Sequence, residues 1–419
     1  MPILIKDIRG LVGAWAQPPA HLAGEAMAGL PVLENAWVAI DDGVIVDWGE
    51  MSDFPGILDW RDLEVVDASG RFVWPAWCDS HTHLVFAHDR AGEFLDRIEG
   101  LSYHEIAARG GGILNSAKAL QSASERDLVT AASNRLQAVQ RTGTGAIEIK
   151  SGYGLSSDAE LKMLRVIRSL AERCEIPIRS TFLAAHAVPE GMTAASWTAH
   201  ALADILPVVQ QENLADFIDV FCEEGYFGLQ ETAAVLEAGV AAGLPAKIHV
   251  NQFVAMGGVP LAVQFGALSV DHLEVLGEGD LSALASAFAS GQIIFPTALP
   301  GCSHFLGIPY TPARELIDAG LPLAIASDFN PGSAPSGNMT LAVQLAIVKM
   351  RLRPLEAIAA ATLNGAAAMG LSDVAGAIAT GRPANLILSR PMDNLVEIGY
   401  RFGEDPVENV LINGRWMRD

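Results

Sequence analysis

The stretch Pro75-Ala-Trp-Cys-Asp-Ser-His-Thr-His-Leu84 places two histidines, His81 and His83, just after an apolar run. The apolar run predicts a β-strand, and side chains two residues apart in a strand point to the same side. Both imidazoles can therefore contact one cation, although a half-buried strand also carries histidines for packing alone. The pair predicts a metal site whose other ligands must come from elsewhere in the chain.

Eight apolar runs of strand length follow one another through the middle of the chain. Most are separated by amphipathic stretches such as 159–170 and 231–238. Strands that alternate with helical patterns indicate βα units around a parallel sheet. Eight such units predict a (β/α)8 TIM-like barrel, and an open doubly wound sheet is the alternative. The predicted strands are 72–79, 145–150, 177–186, 217–223, 246–250, 268–272, 292–297 and 322–328.

Chemically active residues stand at or near the ends of the later predicted strands, namely His186, His249, His272 and Asp328. The C-terminal ends of barrel strands meet at one mouth, whereas an open sheet would not bring these ends together so directly. This convergence favours the barrel. Imidazoles with one carboxylate suit Zn²⁺ or Fe²⁺, which lowers the pKa of bound water toward neutrality.

Both ends of the chain carry short β-rich segments bounded by Gly, Asp and Pro. Such segments predict antiparallel strands. They lie at 36–40, 43–48, 63–67, 384–388, 395–398 and 410–416. We therefore expect a small composite β-sandwich domain from residues 1–70 and 372–419, and a barrel from residues 71–371.

Composition excludes several classes of protein. A formal net charge of -22 over 419 residues argues against non-specific nucleic-acid binding, which needs a basic face. No apolar run approaches the ~20 residues of a membrane span, and the N-terminus does not have the layout of a secretion signal. Four scattered cysteines favour a reducing cytoplasm over a disulfide framework. An anionic small substrate remains compatible, because local cations can reverse the field inside a cleft.

Six stretches carry patterns more specific than a histidine pair. They are His81–Arg90, Gly110–Ile113, Lys150–Leu155, Leu183–Pro189, Asp271–Glu274 and Asp328–Ser333. With the ligand-like residues after the predicted strands, these stretches resemble the imidazolonepropionases of the amidohydrolase superfamily. The resemblance extends through nearly the whole chain, and its most specific parts are Lys-Ser-Gly-Tyr-Gly and Asp-x-Asn-Pro-Gly.

The resemblance implies a role for each matching residue. It implies one Zn or Fe ion bound by His81, His83, His249 and Asp328. It implies substrate contacts from Arg90, Tyr153, His186, Gln252, Asn330, Gly332 and Ser333. The residues alone leave other roles open: a rim salt bridge for Arg90, a loop anchor for Tyr153 and a simple turn at Asn330.

The implied reaction is hydrolysis of the lactam C–N bond of 4-imidazolone-5-propanoate to N-formimino-L-glutamate, the third step of histidine degradation. The guanidinium of Arg90 suits the propionate tail of this substrate. Asp328 would act first as general base and then as general acid, and His186 or His272 would stabilise the oxyanion. An orienting role is the alternative for His272. The family also suggests a homodimer.

Some residues separate this chain from other members of the superfamily. Deaminases carry Glu three residues after the strand-5 histidine, whereas this chain has Gln252, which cannot shuttle a proton. Glu223 is the nearest candidate for a second-metal ligand, and Lys150 stands in the wrong place to bridge two metals, so we expect one metal. His88 and His304 depart from the family pattern and bear on substrate preference.

Two alternative functions follow from the same residues. One is a related cyclic amidohydrolase that acts on another small anionic lactam. The other is a catalytically inactive relative that serves as a scaffold, against which the intact set of metal ligands argues.

Overall fold

The computed structural model describes residues 2–59, 61–101, 105–106, 109 and 111–418. Gly110, which belongs to one of the predicted motifs, lies outside the described residues. Two eight-stranded sheets organise the described chain, one wholly parallel and one mixed. Among the described residues, no helix is both long enough and apolar enough to cross a membrane.

The strands of both sheets are numbered in chain order. They are β1 (Ile3–Val12), β2 (Val32–Asp41), β3 (Val44–Glu50), β4 (Glu64–Asp67), β5 (Phe72–Pro75), β6 (Trp77–Asp79), β7 (Thr144–Lys150), β8 (Ile178–Ala185), β9 (Phe217–Cys222), β10 (Lys247–Val250), β11 (Ser269–His272), β12 (Phe295–Ala298), β13 (Ala324–Ile325), β14 (Leu386–Ser389), β15 (Val407–Ile412) and β16 (Arg415–Trp416).

The α-helices of the described residues fall mainly between the strands of the parallel sheet. They are α1 (Ala91–Ile98), α2 (Ile113–Ser122), α3 (Glu125–Arg141), α4 (Ser157–Arg173), α5 (Ala194–His200), α6 (Leu206–Gln211), α7 (Leu229–Ala241), α8 (Gly258–Gln264), α9 (Asp280–Ala289), α10 (Pro300–Leu306), α11 (Ala313–Asp318), α12 (Met339–Met350), α13 (Pro354–Ala361), α14 (Leu363–Ala367) and α15 (Glu397–Tyr400).

Strands β6 to β13 pair in chain order as one parallel sheet. The two ends of this sheet approach each other just beyond β6 and β13. His83 N donates to Phe329 O at 2.8 Å, and Asp328 N donates to His81 O at 3.0 Å. These bonds nearly close the sheet into a barrel, which confirms the predicted parallel barrel architecture.

The second sheet combines both ends of the chain, in the order β16-β15-β14-β5-β1-β2-β3, with β4 also paired to β1. Strands β4 and β5 run parallel to β1, so the prediction of antiparallel strands throughout is wrong for this part of the sheet. The reason is that β1 is ten residues long and accepts both partners along one edge.

The predicted strand 72–79 is wrong as a single barrel strand, because the chain changes sheets at Ala76. Strand β5 pairs with β14 in the terminal sheet, and Ala76 N still donates to Asn385 O at 2.9 Å. Trp77 N then donates to Gly143 O at 2.8 Å, which begins the barrel. The sequence does not reveal this change of sheet, because both β5 and β6 are buried and the apolar run continues through both.

The predicted strand 395–398 is also wrong, because this segment leads into the short helix α15. Asn394 Oδ1 accepts the main-chain N–H of Val396 at 3.0 Å, and Glu397 Oε1 accepts that of Asp393 at 2.6 Å. Local bonds of this kind stabilise a helical turn in competition with a strand.

Charged side chains occupy the interior of the barrel where bulky apolar residues are more usual. In β7, Ile147 and Ile149 pack in the main apolar core, while Glu148 and Lys150 alternate with them and are also fully buried. Side chains in a strand alternate between faces, so the two charged residues share the opposite face from the two isoleucines. This charged face lies beneath the histidines described below.

Candidate metal centre

Three buried histidines meet at the C-terminal mouth of the barrel. His81 and His83 follow β6, and His249 lies in β10. Their ligand nitrogens lie within 4.8 Å of one another, and His83 Nε2 is 3.3 Å from His249 Nε2. Asp328 Oδ1 lies 3.7 Å from the Nε2 atoms of both His81 and His83. The structure thus brings together the four residues that the sequence predicts as metal ligands.

The protonation of these histidines fits a metal ion. Burial, with the neighbouring positive charge of Lys150, holds the pKa of His81 well below its usual value. Burial and the neighbouring His186 do the same to the pKa of His83. Both rings are therefore neutral, and among the described residues the buried His81 Nε2 has no hydrogen-bond partner. Three imidazoles and a carboxylate are ligands that suit Zn²⁺ or Fe²⁺.

Buried carboxylates contact the far side of two of these rings. His81 Nδ1 lies 2.6 Å from Asp271 Oδ2, and His249 Nδ1 lies 3.0 Å from Asp219 Oδ2. A carboxylate at Nδ1 favours the tautomer that leaves the Nε2 lone pair free for a metal.

Asp219 and Asp271 belong to a cluster that the sequence reasoning missed. We call it the carboxylate–lysine cluster, and its members are Glu148, Lys150, Asp219, Lys247 and Asp271. The available signal was a charged residue at an alternate position inside an apolar strand, as in Thr144-Gly-Ala-Ile-Glu-Ile-Lys150.

His186 and Tyr153 form one wall of the site. The His186 ring stacks on His83 with centroids 4.8 Å apart and planes at 9°, and Tyr153 lies 5.4 Å from His186. His186 Nδ1 is 3.3 Å from Gly152 O, so this nitrogen is the donor. Burial lowers the pKa of His186 to about 3, which keeps the ring neutral.

Glu160, which the sequence reasoning also missed, fixes the loop that carries Tyr153. Its buried carboxylate accepts the main-chain N–H groups of Gly152, Gly154 and Leu155 at 3.0, 2.7 and 3.0 Å. Gly152 adopts a φ of +109°, and a Cβ there would lie 2.8 Å from the Cβ of His186. The Lys-Ser-Gly-Tyr-Gly motif therefore needs its first glycine for backbone conformation and for space.

Asn330 organises a turn beside Asp328. Its Oδ1 accepts the main-chain N–H groups of Gly332 and Ser333 at 2.8 and 2.7 Å, and its Nδ2 donates to Asp328 O at 2.6 Å. The Asn330 amide is thus engaged within the turn. Gly332 provides a flat surface for Arg90, because a Cβ at Gly332 would lie 1.6 Å from Arg90 Nη2.

One cavity of about 30 Å³ collects most of the predicted site residues. Its lining includes Arg90, Tyr153, His186, Gln252, His272, Asp328, Asn330 and Ser333, together with His83 and His249. A second cavity of about 380 Å³ adjoins it, and Arg90 lines both, with Gly332 in the wall of the larger one. The inner cavity has room for two or three waters at most, on the scale of ~10–15 Å³ per water centre.

Comparison with known proteins identifies the family. A family model described as "Amidohydrolase family" matches residues 90–416. The chain belongs to the amidohydrolase family. Within it, the chain is 51% identical to an imidazolonepropionase of Flavobacterium johnsoniae over 99% of this chain and 100% of the relative. An imidazolonepropionase of Shewanella putrefaciens is 39% identical over 91% of this chain and 93% of the relative.

Two solved structures share the fold of this chain. A 5-methylcytosine deaminase from Klebsiella pneumoniae has a TM-score of 0.73 at 16% identity, over 100% of this chain and 98% of that one. An adenosine deaminase from Xanthomonas campestris with bound zinc has a TM-score of 0.71 at 16% identity, over 99% and 92%. These likenesses show the fold alone.

Gln252 and Glu223 occupy separate places in this amidohydrolase site. Gln252 lines the inner cavity, and its Nε2 lies 3.3 Å from Cys302 Sγ. Glu223 accepts the main-chain N–H groups of Phe253 and Val254 at 2.9 and 3.1 Å, so it supports the loop that follows Gln252. Its carboxylate is therefore already engaged by the backbone.

His272 lies at the end of β11 with a φ of +85°, an unusual conformation for a non-glycine residue that is often found at functional sites. Its Nδ1 is 3.3 Å from Glu274 Oε1, and its main-chain oxygen accepts a hydrogen bond from the Thr311 hydroxyl at 2.6 Å. Burial would lower the pKa of His272, but the charges of Glu274 and Asp328 outweigh burial and raise it. His272 thus holds its proton more tightly than a free imidazole does.

His88 and His304 are adjacent in sequence to Asp89 and Phe305, which line the larger cavity. Both histidine side chains are exposed, and His304 Nδ1 lies 2.9 Å from the Tyr310 hydroxyl. In the part of the chain that the structure describes, the inner cavity is lined by neither of them.

Proposed function

We propose that the chain hydrolyses the lactam C–N bond of 4-imidazolone-5-propanoate to give N-formimino-L-glutamate, in histidine degradation. The observation that carries this proposal is one cavity lined by metal-ligand histidines, Asp328 and the guanidinium of Arg90. Such a cavity offers a metal to a ring carbonyl and a cation to a carboxylate tail. Identity of 51% to an imidazolonepropionase along its whole length supports this substrate.

We propose that His81, His83, His249 and Asp328 hold one Zn or Fe ion. When bound, such an ion would activate water and polarise the ring carbonyl. The carboxylate of Glu223 is already engaged by main-chain N–H groups, which supports a single ion.

Asp328 would take the proton from the attacking water and pass it to the leaving ring nitrogen. Burial raises the pKa of Asp328 above its usual value, against the opposing charges of His272 and His249. A raised pKa brings a carboxylate closer to the working pH, where proton transfer in both directions is efficient.

We assign stabilisation of the oxyanion to His272 in preference to His186. The raised pKa of His272 favours an imidazolium, which donates to a developing negative charge. His186 is neutral, and its Nδ1 faces Gly152 O, so its Nε2 is an acceptor. His186 is better suited to accept an N–H of the substrate ring.

Arg90 would bind the propionate, with Tyr153 and Gln252 against the ring. We expect the turn of Asn330, Gly332 and Ser333 to act mainly by shaping the pocket. The reason is that Asn330 Oδ1 already accepts hydrogen bonds from the main-chain N–H groups of Gly332 and Ser333. A ring with a three-carbon tail exceeds the inner cavity of about 30 Å³. We infer that Arg90 shifts toward the adjoining cavity of about 380 Å³ when the substrate enters.

The test is loss of the ultraviolet absorbance of imidazolone propionate with metal-loaded protein. Unchanged absorbance would contradict the proposal. Faster turnover of hydantoin-type rings in a parallel assay would favour another cyclic amidohydrolase. Absence of bound metal, together with indifference to chelators, would favour an inactive scaffold relative.

We also propose that the two ends of the chain, predicted as residues 1–70 and 372–419, form a β-sandwich domain beside the barrel. Because β5 (Phe72–Pro75) pairs within the terminal sheet, we move the boundary predicted at residue 71 to Ala76. Apolar residues from both ends, including Ile5, Val38 and Leu411, share one core cluster, which supports this division. We propose a homodimer in the cytoplasm. Light scattering of the purified protein measures the former, and localisation of a tagged chain the latter.

A further inference from the structure

Lys150 is a fully buried lysine at the end of β7 for which the proposed reaction has no direct use. Its ammonium lies 2.6 Å from Glu148 Oε1, 2.8 Å from Asp219 Oδ2 and 3.6 Å from Asp271 Oδ2. A buried lysine is costly unless carboxylates pair with it. The chain retains this one at the point where three carboxylates converge.

The oxygens that Lys150 approaches are the same oxygens that approach the histidines. Asp219 Oδ2 is 2.8 Å from Lys150 Nζ and 3.0 Å from His249 Nδ1. Asp271 Oδ2 is 2.6 Å from His81 Nδ1 and 3.6 Å from Lys150 Nζ. One ammonium is therefore connected, through two carboxylates, to two of the proposed metal ligands.

We propose that Lys150 is a positioning residue that holds His81 and His249 in the orientation and tautomer needed to bind the metal, acting through Asp271 and Asp219. The ammonium fixes both carboxylate oxygens, and each oxygen in turn fixes one imidazole with its Nδ1–H inward. Both Nε2 lone pairs then face the mouth of the barrel. The inference rests on the proposed ligand set and is independent of the substrate.

Lys247 provides a matched control within the same cluster. It is also fully buried, and it pairs with Glu148 and lies 3.4 Å from the main-chain oxygen of Ser80. In the described part of the chain, its ion pair is with Glu148, and no ion pair joins it to the two histidine-bound aspartates. Replacing either lysine removes one buried positive charge, but only Lys150 contacts Asp219 and Asp271.

The experiment compares Lys150→Met with Lys247→Met in the full-length protein. Affinity for Co²⁺ is measured by competition with a chelator, and the visible absorption spectrum of bound Co²⁺ reports the ligand geometry. Loss of the direct partner of a metal ligand typically costs 10–100-fold in affinity. Lys150 acts one contact further out, so we expect Lys150→Met to raise the dissociation constant about 10-fold and to change the spectrum. Lys247→Met should lower thermal stability to a similar degree while keeping the affinity within about 3-fold.

Equal Co²⁺ affinity in the two variants would overturn the proposal, because a purely structural role affects both alike. If Lys150→Met does not fold, Lys150→Gln retains an N–H donor and takes its place in the same comparison. A double-mutant cycle then tests the route. The double variant Lys150→Met/Asp219→Asn should lose less Co²⁺ affinity than the product of the fold-losses in the two single variants. A loss equal to that product would contradict action through Asp219.

Failure of this inference and failure of the proposed function are distinguishable. Metal affinity is measured without substrate, so a protein that binds Co²⁺ through the ligand set but leaves imidazolone propionate unchanged would overturn only the proposed function. A protein that turns over this substrate, and whose Lys150→Met variant keeps full metal affinity, would overturn only the role of Lys150.

Discussion

Gly332 illustrates how a missing side chain shapes the site. A Cβ at this position would lie 1.6 Å from Arg90 Nη2, so the guanidinium occupies the space that a side chain would fill. The family resemblance implies a substrate contact at Gly332, and this stays a prediction. The structure adds a steric role for this glycine in seating Arg90, which only three-dimensional proximity between residues 90 and 332 can reveal.

We predict that Gly332→Ala displaces Arg90 and raises KM for imidazolone propionate with little change in kcat. Loss of a charged hydrogen bond of ~1.5–3 kcal/mol corresponds to a rise of about 10–100-fold. Steady-state kinetics measures the change, and Gly92→Ala is the control, since a Cβ there meets nothing within 4 Å. Arg90→Met should give a similar rise, and a double variant much worse than Arg90→Met alone would contradict this mechanism.

The buried ring of His186 predicts that the stability of the folded protein depends on pH. Burial lowers its pKa in the folded protein to about 3 from an ordinary value of 6.5, so the unfolded chain takes up a proton first as pH falls. The stabilisation is present above pH 6.5 and is lost as pH falls toward 3. Each pH unit in this window removes about 1.4 kcal/mol.

The measurement is urea unfolding of the metal-free protein at pH 7 and pH 5. We expect the wild type to lose about 2 kcal/mol more between these values than His186→Asn, which does not titrate there. His88→Asn changes an exposed histidine and should keep the wild-type dependence. Identical pH dependence in the wild type and His186→Asn would contradict the assignment.

Among the elements of the fold, α4 holds the conformation of the loop between β7 and α4 through the carboxylate of Glu160. This carboxylate lies in the first turn of α4 and gathers three main-chain N–H groups from the loop around Tyr153. The helix thus positions the loop, and the loop positions one wall of the site. A buried acceptor with three donors contributes more than a typical surface bond, because its loss leaves buried N–H groups without partners.

We predict that Glu160→Gln lowers the free energy of unfolding by about 2–3 kcal/mol and kcat/KM by about 10-fold. The glutamine has one acceptor oxygen, and its amide donor faces N–H groups. Chemical denaturation and kinetics measure the two effects. Glu172→Gln, at an exposed position on the same helix, should change stability by less than about 0.5 kcal/mol. A Glu160→Gln protein as stable as this control would contradict the role of Glu160.

The strands and helices also show which features of the fold can be predicted from the sequence. The alternation of strands and helices predicted the parallel barrel, because hydrophobic periodicity is local information. The same information could not place Phe72–Pro75 in a different sheet from Trp77–Asp79, since both are apolar and buried. It also gave no weight to Glu148 or Asp219, whose meaning depends on partners that lie far along the chain. Pairing between distant strands, and not propensity, decides these features.

For the whole molecule, the net charge of -22 opposes the approach of an anionic substrate. The barrel mouth offsets this field locally through Arg90 and the proposed metal, but these charges act only at short range. The Debye length falls from ~30 Å at 0.01 M ionic strength to ~8 Å at 0.15 M. Salt should therefore screen the long-range repulsion far more than the contacts inside the cavity.

We predict that kcat/KM for imidazolone propionate rises about 2–5-fold between 0.01 and 0.15 M ionic strength, because less repulsion speeds association. The methyl ester of the substrate carries no carboxylate and is the control, for which kcat/KM should stay nearly constant. A fall in kcat/KM for the acid with rising salt would contradict the prediction. It would mean that the cations at the mouth, and not the net charge of the whole protein, govern the field along the path of approach.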